Sequence, residues 1–407
     1  MNKSILFLSV TFPPRLSVAS LRLYNYAKLF SENGWKVHVL SCKQNGEAIS
    51  ESFDLANLNI IQVEWKDPFD FIIKIKNPLI KKIIKKVFSF FIPYLSTWWP
   101  DRRFKTWRNN TLVAASDLIE SAGITHVYSS FSPPSPHMVS NQLKIKYKHL
   151  FWIAEFRDLM SFSHGLGAVK RYFSPIHFYY ERNLLKHADE VLCVSQGHAL
   201  FMQNKLGRQV NVLLNGCDFS LYQEIERKIV NDFTIVYTGN VYRKQNDMQL
   251  FFSSVYELII SKKMTIKVLF VGTPKHSFLL TQLKKYELTE HVTFIPKQDH
   301  FNVRLLQKSA HMLLHFCWKN NTQEGNLTGK LFEYISARVP ILSIGEQVEV
   351  EELIKFSASG QICKSKEEIV NYVTKTYFNY PQLTQLSNND SPISKLNQFR
   401  LLEKRIL

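Results

Sequence analysis

Short, continuously apolar runs recur along this chain, separated by turn residues and amphipathic helical stretches. In the first half they are ILFLSV (5–10), KVHVLS (36–41), THVYSS (125–130), FWIAEF (151–156), EVLCVS (190–195) and VNVLLN (210–215). The series restarts after Asp232 with FTIVYTG (233–239), IKVLFVG (266–272), VTFIP (292–296), HMLLHF (311–316) and PILSIG (340–345). Helical stretches such as 21–30 and 179–187 lie between several of them. Strands apolar on both faces and alternating with helices belong in parallel sheets covered on both sides. Two such series predict two doubly wound α/β domains, with ligand held at the carboxyl ends of the strands.

Length agrees, because a single core stops growing near roughly 250–300 residues and this chain has 407. The boundary is expected at 217/218, just after the Asn215–Gly216 turn and before a charged, turn-rich stretch. The last segment, 392–407, has helical spacing and is expected to pack back on the first domain. With 45% hydrophobic and 21% charged residues the composition is globular. No apolar run approaches the ~20 residues of a membrane-spanning helix. The opening run, Ile5–Val10, is shorter than a signal-peptide core, so a cytoplasmic location is expected. Five scattered cysteines, Cys42, Cys193, Cys217, Cys317 and Cys363, lack paired ligand spacing; neither a disulfide nor a zinc site is expected.

The net charge of +17 is concentrated toward the amino terminus: residues 1–220 hold 27 Lys and Arg against 16 acids. Such a field attracts polyanions. Residues 74–108 hold ten Lys and Arg and one acid, Asp101, interleaved with apolar and aromatic residues. Lys81, Lys82, Lys85 and Lys86 flank an apolar face of Ile80, Ile83, Ile84, Val87 and Phe91. Two readings stay open: a basic amphipathic helix lying on an anionic membrane surface, or a surface helix packed on its own domain. No nucleic-acid-binding signature accompanies the patch, so no nucleic-acid partner is expected.

Chemistry concentrates in GNLTGKLFEYISARVPILSIG, 325–345. A glycine-containing loop leads into a helix at Gly329, and a helix amino terminus offers free N–H groups and partial positive charge to a phosphate. Lys330 adds a full charge there, unless it is simply a solvated helix lysine. Glu333, one turn on, can accept two ribose hydroxyls or merely complement the helix dipole. A second loop, YTGNVYRKQND (237–247), leaves a strand at Gly239 and carries Arg243 and Lys244. Without a Gly-x-Gly-x-x-Gly fingerprint, a nicotinamide dinucleotide is disfavoured.

The run GKLFEY resembles the donor-binding segment of retaining glycosyltransferases of family 4, in particular the capsule and O-antigen branch. That resemblance implies a GT-B fold, two facing Rossmann-like domains with a central cleft. In the family two glutamates are separated by seven intervening residues and the second contacts the ribose. Glu333 matches the second, while the first falls at Gly325, with Glu324 out of register. Arg243 and Lys244 match the family's basic pair at the donor diphosphate. SSFSPPSPH (129–137), AEFRD (154–158), CVSQGH (193–198) and LLNGCD (213–218) are similar to other loops of the family, in the right order. His137 lies near the family's cleft histidine, and Asp158 ends a strand where ligand loops gather.

The resemblance implies transfer of a sugar, with retention of configuration, from a nucleotide-sugar donor to a lipid-linked glycan acceptor. Envelope polysaccharide assembly, at the inner face of the cell membrane, is the setting it implies. Arg243, Lys244, Lys330 and the amides near Gly329 and Gly239 would neutralise the departing diphosphate; Asp158 or His137 would position the acceptor. No Asp-x-Asp is present, so neither a metal nor another cofactor is expected. The alternatives are a nucleotide-sugar epimerase of the same fold and a non-catalytic basic membrane-binding protein.

Overall fold

The computed structural model describes residues 3–14, 18–43, 53–66, 72, 75, 77–84, 102–160, 174–228, 230–241, 247–318, 325, 327–379 and 391–407. The chain divides into two compact units, one of Met1–Leu213 with Arg405–Leu407 and one of Leu214–Lys404. The division falls four residues before the expected 217/218 boundary. The final helix, Lys395–Ile406, begins in the second unit, and its last residues count with the first.

The first unit is built on a seven-stranded sheet in the order β3-β2-β1-β4-β5-β6-β7. Its strands are β1 (Ser4–Leu8), β2 (Lys36–Cys42), β3 (Leu58–Val63), β4 (His126–Phe131), β5 (Phe151–Phe156), β6 (Glu190–Cys193) and β7 (Asn211–Val212). The second has six strands in the order β10-β9-β8-β11-β12-β13. These are β8 (Phe233–Thr238), β9 (Ile266–Val271), β10 (Val292–Ile295), β11 (Met312–Phe316), β12 (Ile341–Ile344) and β13 (Gly360–Cys363). Every pairing in both sheets is parallel. The two doubly wound domains expected from the apolar rhythm are present.

Successive side chains of a strand point to opposite faces, and here both faces are covered. In the second unit Ile235, Leu314 and Leu342 pack into one core layer. Their neighbours Val236, Leu313 and Ile341 pack into the other. That is why these strands read as unbroken apolar runs. The two strands that sequence reading passed over, β3 and β13, are edge strands. β3 alternates half-buried and exposed residues, and β13 opens on Gly360 and an exposed Gln361. Conversely, only Asn211–Val212 of the run 210–215 pairs as strand.

Strand order reverses between β1 and β4 in one unit and between β8 and β11 in the other. Such switch points open a crevice at the strands' carboxyl ends. All five cysteines are buried and free. Among the described residues no helix is long and apolar enough to cross a membrane.

Candidate functional site

In the second unit the switch point is floored by the end of β8. There Thr238 is succeeded by Gly239 at φ +97, a conformation that favours glycine. The loop is pinned on several sides. The Tyr334 hydroxyl accepts a hydrogen bond from the Thr238 amide at 3.0 Å. Thr273 Oγ1 donates to the Gly239 carbonyl, and Tyr237 donates to the Asn240 carbonyl at 2.7 Å. Beneath it, Gln307 Nε2 donates to Thr238 Oγ1 at 3.2 Å, and the Tyr222 hydroxyl donates to Gln307 Oε1. These buried groups satisfy one another, which fixes the loop in place.

Helix Gly329–Ala337 delivers Lys330 onto this floor. Its Nζ stands 3.8 Å from the centroid of the Tyr237 ring, a cation–π contact. A Cβ on Gly239 would meet the same amine at 3.5 Å, an ordinary contact, so it is the backbone conformation and not space that calls for glycine here. Burial of the amine lowers the Lys330 pKa to about 7, opposed by the nearby Glu333 carboxylate. An ammonium held this way lacks the solvent it would have at the surface and gains by meeting an anion. The helix amino end adds to the attraction: Thr328 makes no side-chain cap, and its hydroxyl is buried without a partner. Glu333 is exposed one turn along the same helix. His315, near the end of β11, donates to or accepts from Ser343 Oγ at 2.9 Å. Burial, reinforced by Lys330, drives its pKa down to about 3, so it is neutral beside the cation.

The first unit carries a polar cluster at the carboxyl ends of β4 and β5. Glu155, fully buried, accepts from Arg22 Nε at 2.7 Å and from Ser130 Oγ at 2.8 Å. Arg22 also donates to the Leu213 carbonyl at 2.8 Å. Burial alone would push the Glu155 carboxyl up, but Arg22 and Arg157 hold it below the ordinary carboxylate range. Arg157 Nε turns inward to Ser130 Oγ at 3.1 Å and to the Phe131 carbonyl at 2.9 Å. Asp158, beside it, is exposed.

The structure thus brings Gly239, Gly329, Lys330 and Glu333 to one place. Arg243 and Lys244 lie outside the described residues, as does Glu324. His137 is another matter. It has no exposed surface, its Nδ1 pairs with Ser129 Oγ at 2.7 Å, and its ring packs 4.7 Å from Phe156. Burial lowers its pKa to about 3. It stands in the first turn of helix Ser135–Lys146, where its Nε2 is buried with no hydrogen-bond partner among the described residues. Of the basic segment 74–108, most lies outside the described residues. Within 78–84, Leu79, Ile80 and Ile83 are exposed by 70%, 49% and 62%. At the segment's end Trp107 is fully buried in the first core.

Sequence reasoning did not single out Tyr237, Gln307, His315, Arg22 or Glu155 as site residues. One signal was available: an acid inside the apolar run FWIAEF is the kind of buried polar group that carries information.

No protein-family model matches the chain, and no curated protein matches it. Solved structures match at full length. HepE from Anabaena, in complex with UDP and glucose, aligns with a TM-score of 0.65 at 13% identity, covering 99% of both chains. The lipopolysaccharide outer core galactosyltransferase WaaB aligns with a TM-score of 0.62 at 11% identity, again covering 99% of both. A UDP-N-acetylglucosamine 2-epimerase aligns with a TM-score of 0.54 at 10% identity, over 99% of this chain and 95% of that one. At these identities the likeness is one of fold, and the fold is GT-B.

Proposed function

We propose that this chain is a glycosyltransferase of family 4 type, moving a sugar with retention from a nucleotide-sugar donor to a lipid-linked glycan. The observation that carries the reading is the Lys330 amine, held 3.8 Å over the Tyr237 ring at the switch point of the second unit. A fixed cation beside free helix-end amides suits a diphosphate leaving group. Glu333, exposed one turn away, suits the hydroxyls of a ribose.

In the reaction the bond between the sugar's anomeric carbon and the β-phosphate oxygen breaks. The electron pair stays with the nucleoside diphosphate, where Lys330, the amides and the pair Arg243 and Lys244 stabilise it. The acceptor hydroxyl forms the new bond on the same face and gives its proton to the departing phosphate. Asp158 orients that hydroxyl. The proposed chemistry needs no metal, so turnover is expected to survive EDTA.

An acceptor at the membrane is supported by the charge of residues 74–108 and by the exposed Leu79, Ile80 and Ile83 beside Lys81 and Lys82. The protein would then work at the cytoplasmic face of the membrane, in envelope polysaccharide assembly of the capsule or O-antigen type. An epimerase shares the fold, so the products decide. Incubation with labelled nucleotide sugars and a bacterial lipid fraction should move label into lipid; label confined to an epimeric nucleotide sugar would replace this reading.

A further inference from the structure

Helices His300–Ser309 and Gly329–Ala337 follow β10 and β11, so both set out from the carboxyl edge of the second sheet, where the Gly239 loop lies. They cover the same face: Val303 and Leu306 of one pack with Leu331 and Ile335 of the other. Both are tied to one residue. Gln307 Nε2 donates to Thr238 Oγ1 at 3.2 Å, and the Tyr334 hydroxyl accepts from the Thr238 amide at 3.0 Å. Arg304 and Glu333 are each the fifth residue of their helix, just ahead of these anchors. A rise of about 1.5 Å per residue sets Arg304 roughly 4.5 Å closer than Gln307 to the edge that carries Gly239.

Arg304 is half-buried, and its Nε is enclosed with no hydrogen-bond partner among the described residues. Glu333 is exposed. Both act on the Tyr222 hydroxyl beneath the Gly239 loop: after burial itself, Glu333 raises its pKa and Arg304 lowers it. Two opposite charges therefore stand close to one hydroxyl, yet no ion pair joins them among the described residues. Native structures rarely keep a buried donor unpaired, because it gives up its water and gains nothing in return. A guanidinium and a carboxylate that stand near each other unbonded leave room for a group able to meet both. A sugar hydroxyl is such a group. The carboxylate only accepts and the guanidinium only donates, whereas a hydroxyl does each at once.

On the nucleotide-sugar reading, on which this inference rests, we propose that Arg304 selects the donor's nucleoside, donating to the oxygens of the ribose diol whose protons Glu333 accepts. The donor is then a ribonucleoside diphosphate sugar and not a 2′-deoxyribonucleoside one. Without the 2′-hydroxyl the guanidinium loses its acceptor and the carboxylate one of its donors. Sites built to bond a hydroxyl strongly reject the analogue that lacks it. Lys330 meets the diphosphate of either compound alike, so it does not contribute to this choice.

The test is calorimetric titration of the full chain with the diphosphates of uridine, cytidine, adenosine and guanosine and with their 2′-deoxy forms. The ribonucleotide that binds best should bind about tenfold or more tighter than its 2′-deoxy form. In Arg304→Gln the ribonucleotide should lose about tenfold and the deoxynucleotide far less, so that the preference collapses. Arg304→Lys keeps the charge but gives up the planar fork, and it should lose most of the preference too. Melting temperatures should hold, because the wild-type Nε has no hydrogen bond to lose. Equal weakening of both nucleotides in Arg304→Gln would show a general attraction for phosphate and overturn the proposal. A preference kept in both variants, or absent from the wild type, would overturn it while leaving the donor reading in place. If no nucleoside diphosphate binds at millimolar concentration, the donor reading falls and this inference with it.

Discussion

Lys330 Nζ lies 3.8 Å from the centre of the Tyr237 ring, joining the first turn of one helix to the last residues of β8. Burial holds the pKa of that amine at about 7, so near neutrality it is only partly charged. A bound diphosphate would favour the charged form and raise the pKa again. Donor binding should therefore take up protons, approaching about one per site at pH 8.5, and affinity should fall as pH rises above 7. Titrations in buffers of different ionisation enthalpy measure the uptake. In Lys330→Gln the uptake should vanish and the affinity should be low at every pH. Because the substitution removes a poorly solvated charge, the melting temperature should not fall.

Glu333 is exposed and spends nothing on the core. Glu333→Ala should weaken nucleotide-sugar binding about tenfold to a hundredfold, the loss of hydrogen bonds to a charged acceptor worth about 1.5–3 kcal/mol. The melting temperature should hardly move. Unchanged affinity for both the nucleotide sugar and the free nucleoside diphosphate would remove Glu333 from the site.

Arg22 and Glu155 behave as a unit, since either alone leaves a buried charge. Arg22→Met should destabilise the first unit by about 3–5 kcal/mol, and adding Glu155→Leu should recover much of it. The Glu155 carboxyl is held below its ordinary range. Its contribution is thus complete above the unfolded value near 4.5 and is lost as pH falls through the folded one. Chemical denaturation of the single and double variants as a function of pH checks both statements.

His137 separates packing from chemistry. Its folded pKa of about 3 lies below the unfolded value, so between those values the unfolded chain binds the extra proton. Stability should decline as pH falls below 6.5. His137→Gln should flatten that part of the curve while leaving the pH profile of turnover above pH 7 in place. A turnover limb that disappears with His137 would give it a chemical role.

If residues 74–108 meet anionic lipid, each basic residue near the surface adds about 1 kcal/mol, and salt weakens the attraction. Changing Lys81, Lys82, Lys85 and Lys86 to Gln should release the protein from anionic vesicles in co-sedimentation. Donor binding and melting temperature should stay as they were. Equal binding to neutral vesicles, insensitive to salt, would point away from a charged membrane.

Much of the fold was legible because central parallel strands are buried on both faces, so Ile235 and Val236, or Leu313 and Leu314, are apolar side by side. The edge strands escaped for the converse reason: residues such as Asn59 and Gln361 face solvent and break the pattern. At the site, Lys330 and Gly239 announced themselves through glycine-rich turns at element ends. Tyr237 and Gln307 did not, because their roles depend on contacts between distant segments. His137, in the first turn of helix Ser135–Lys146, likewise takes its surroundings from distant segments, Trp152 and Phe156.

Titration of a panel of nucleotide sugars into the wild-type chain and into Lys330→Gln bears on all of this at once. At least one nucleotide sugar should bind the wild type and raise its melting temperature. The same compound should bind the variant at least tenfold more weakly, and the matching free nucleoside diphosphate should show the same loss. If no nucleotide sugar binds at millimolar concentration, or if one binds equally well with Lys330 replaced, the donor site is not where Lys330 meets Tyr237.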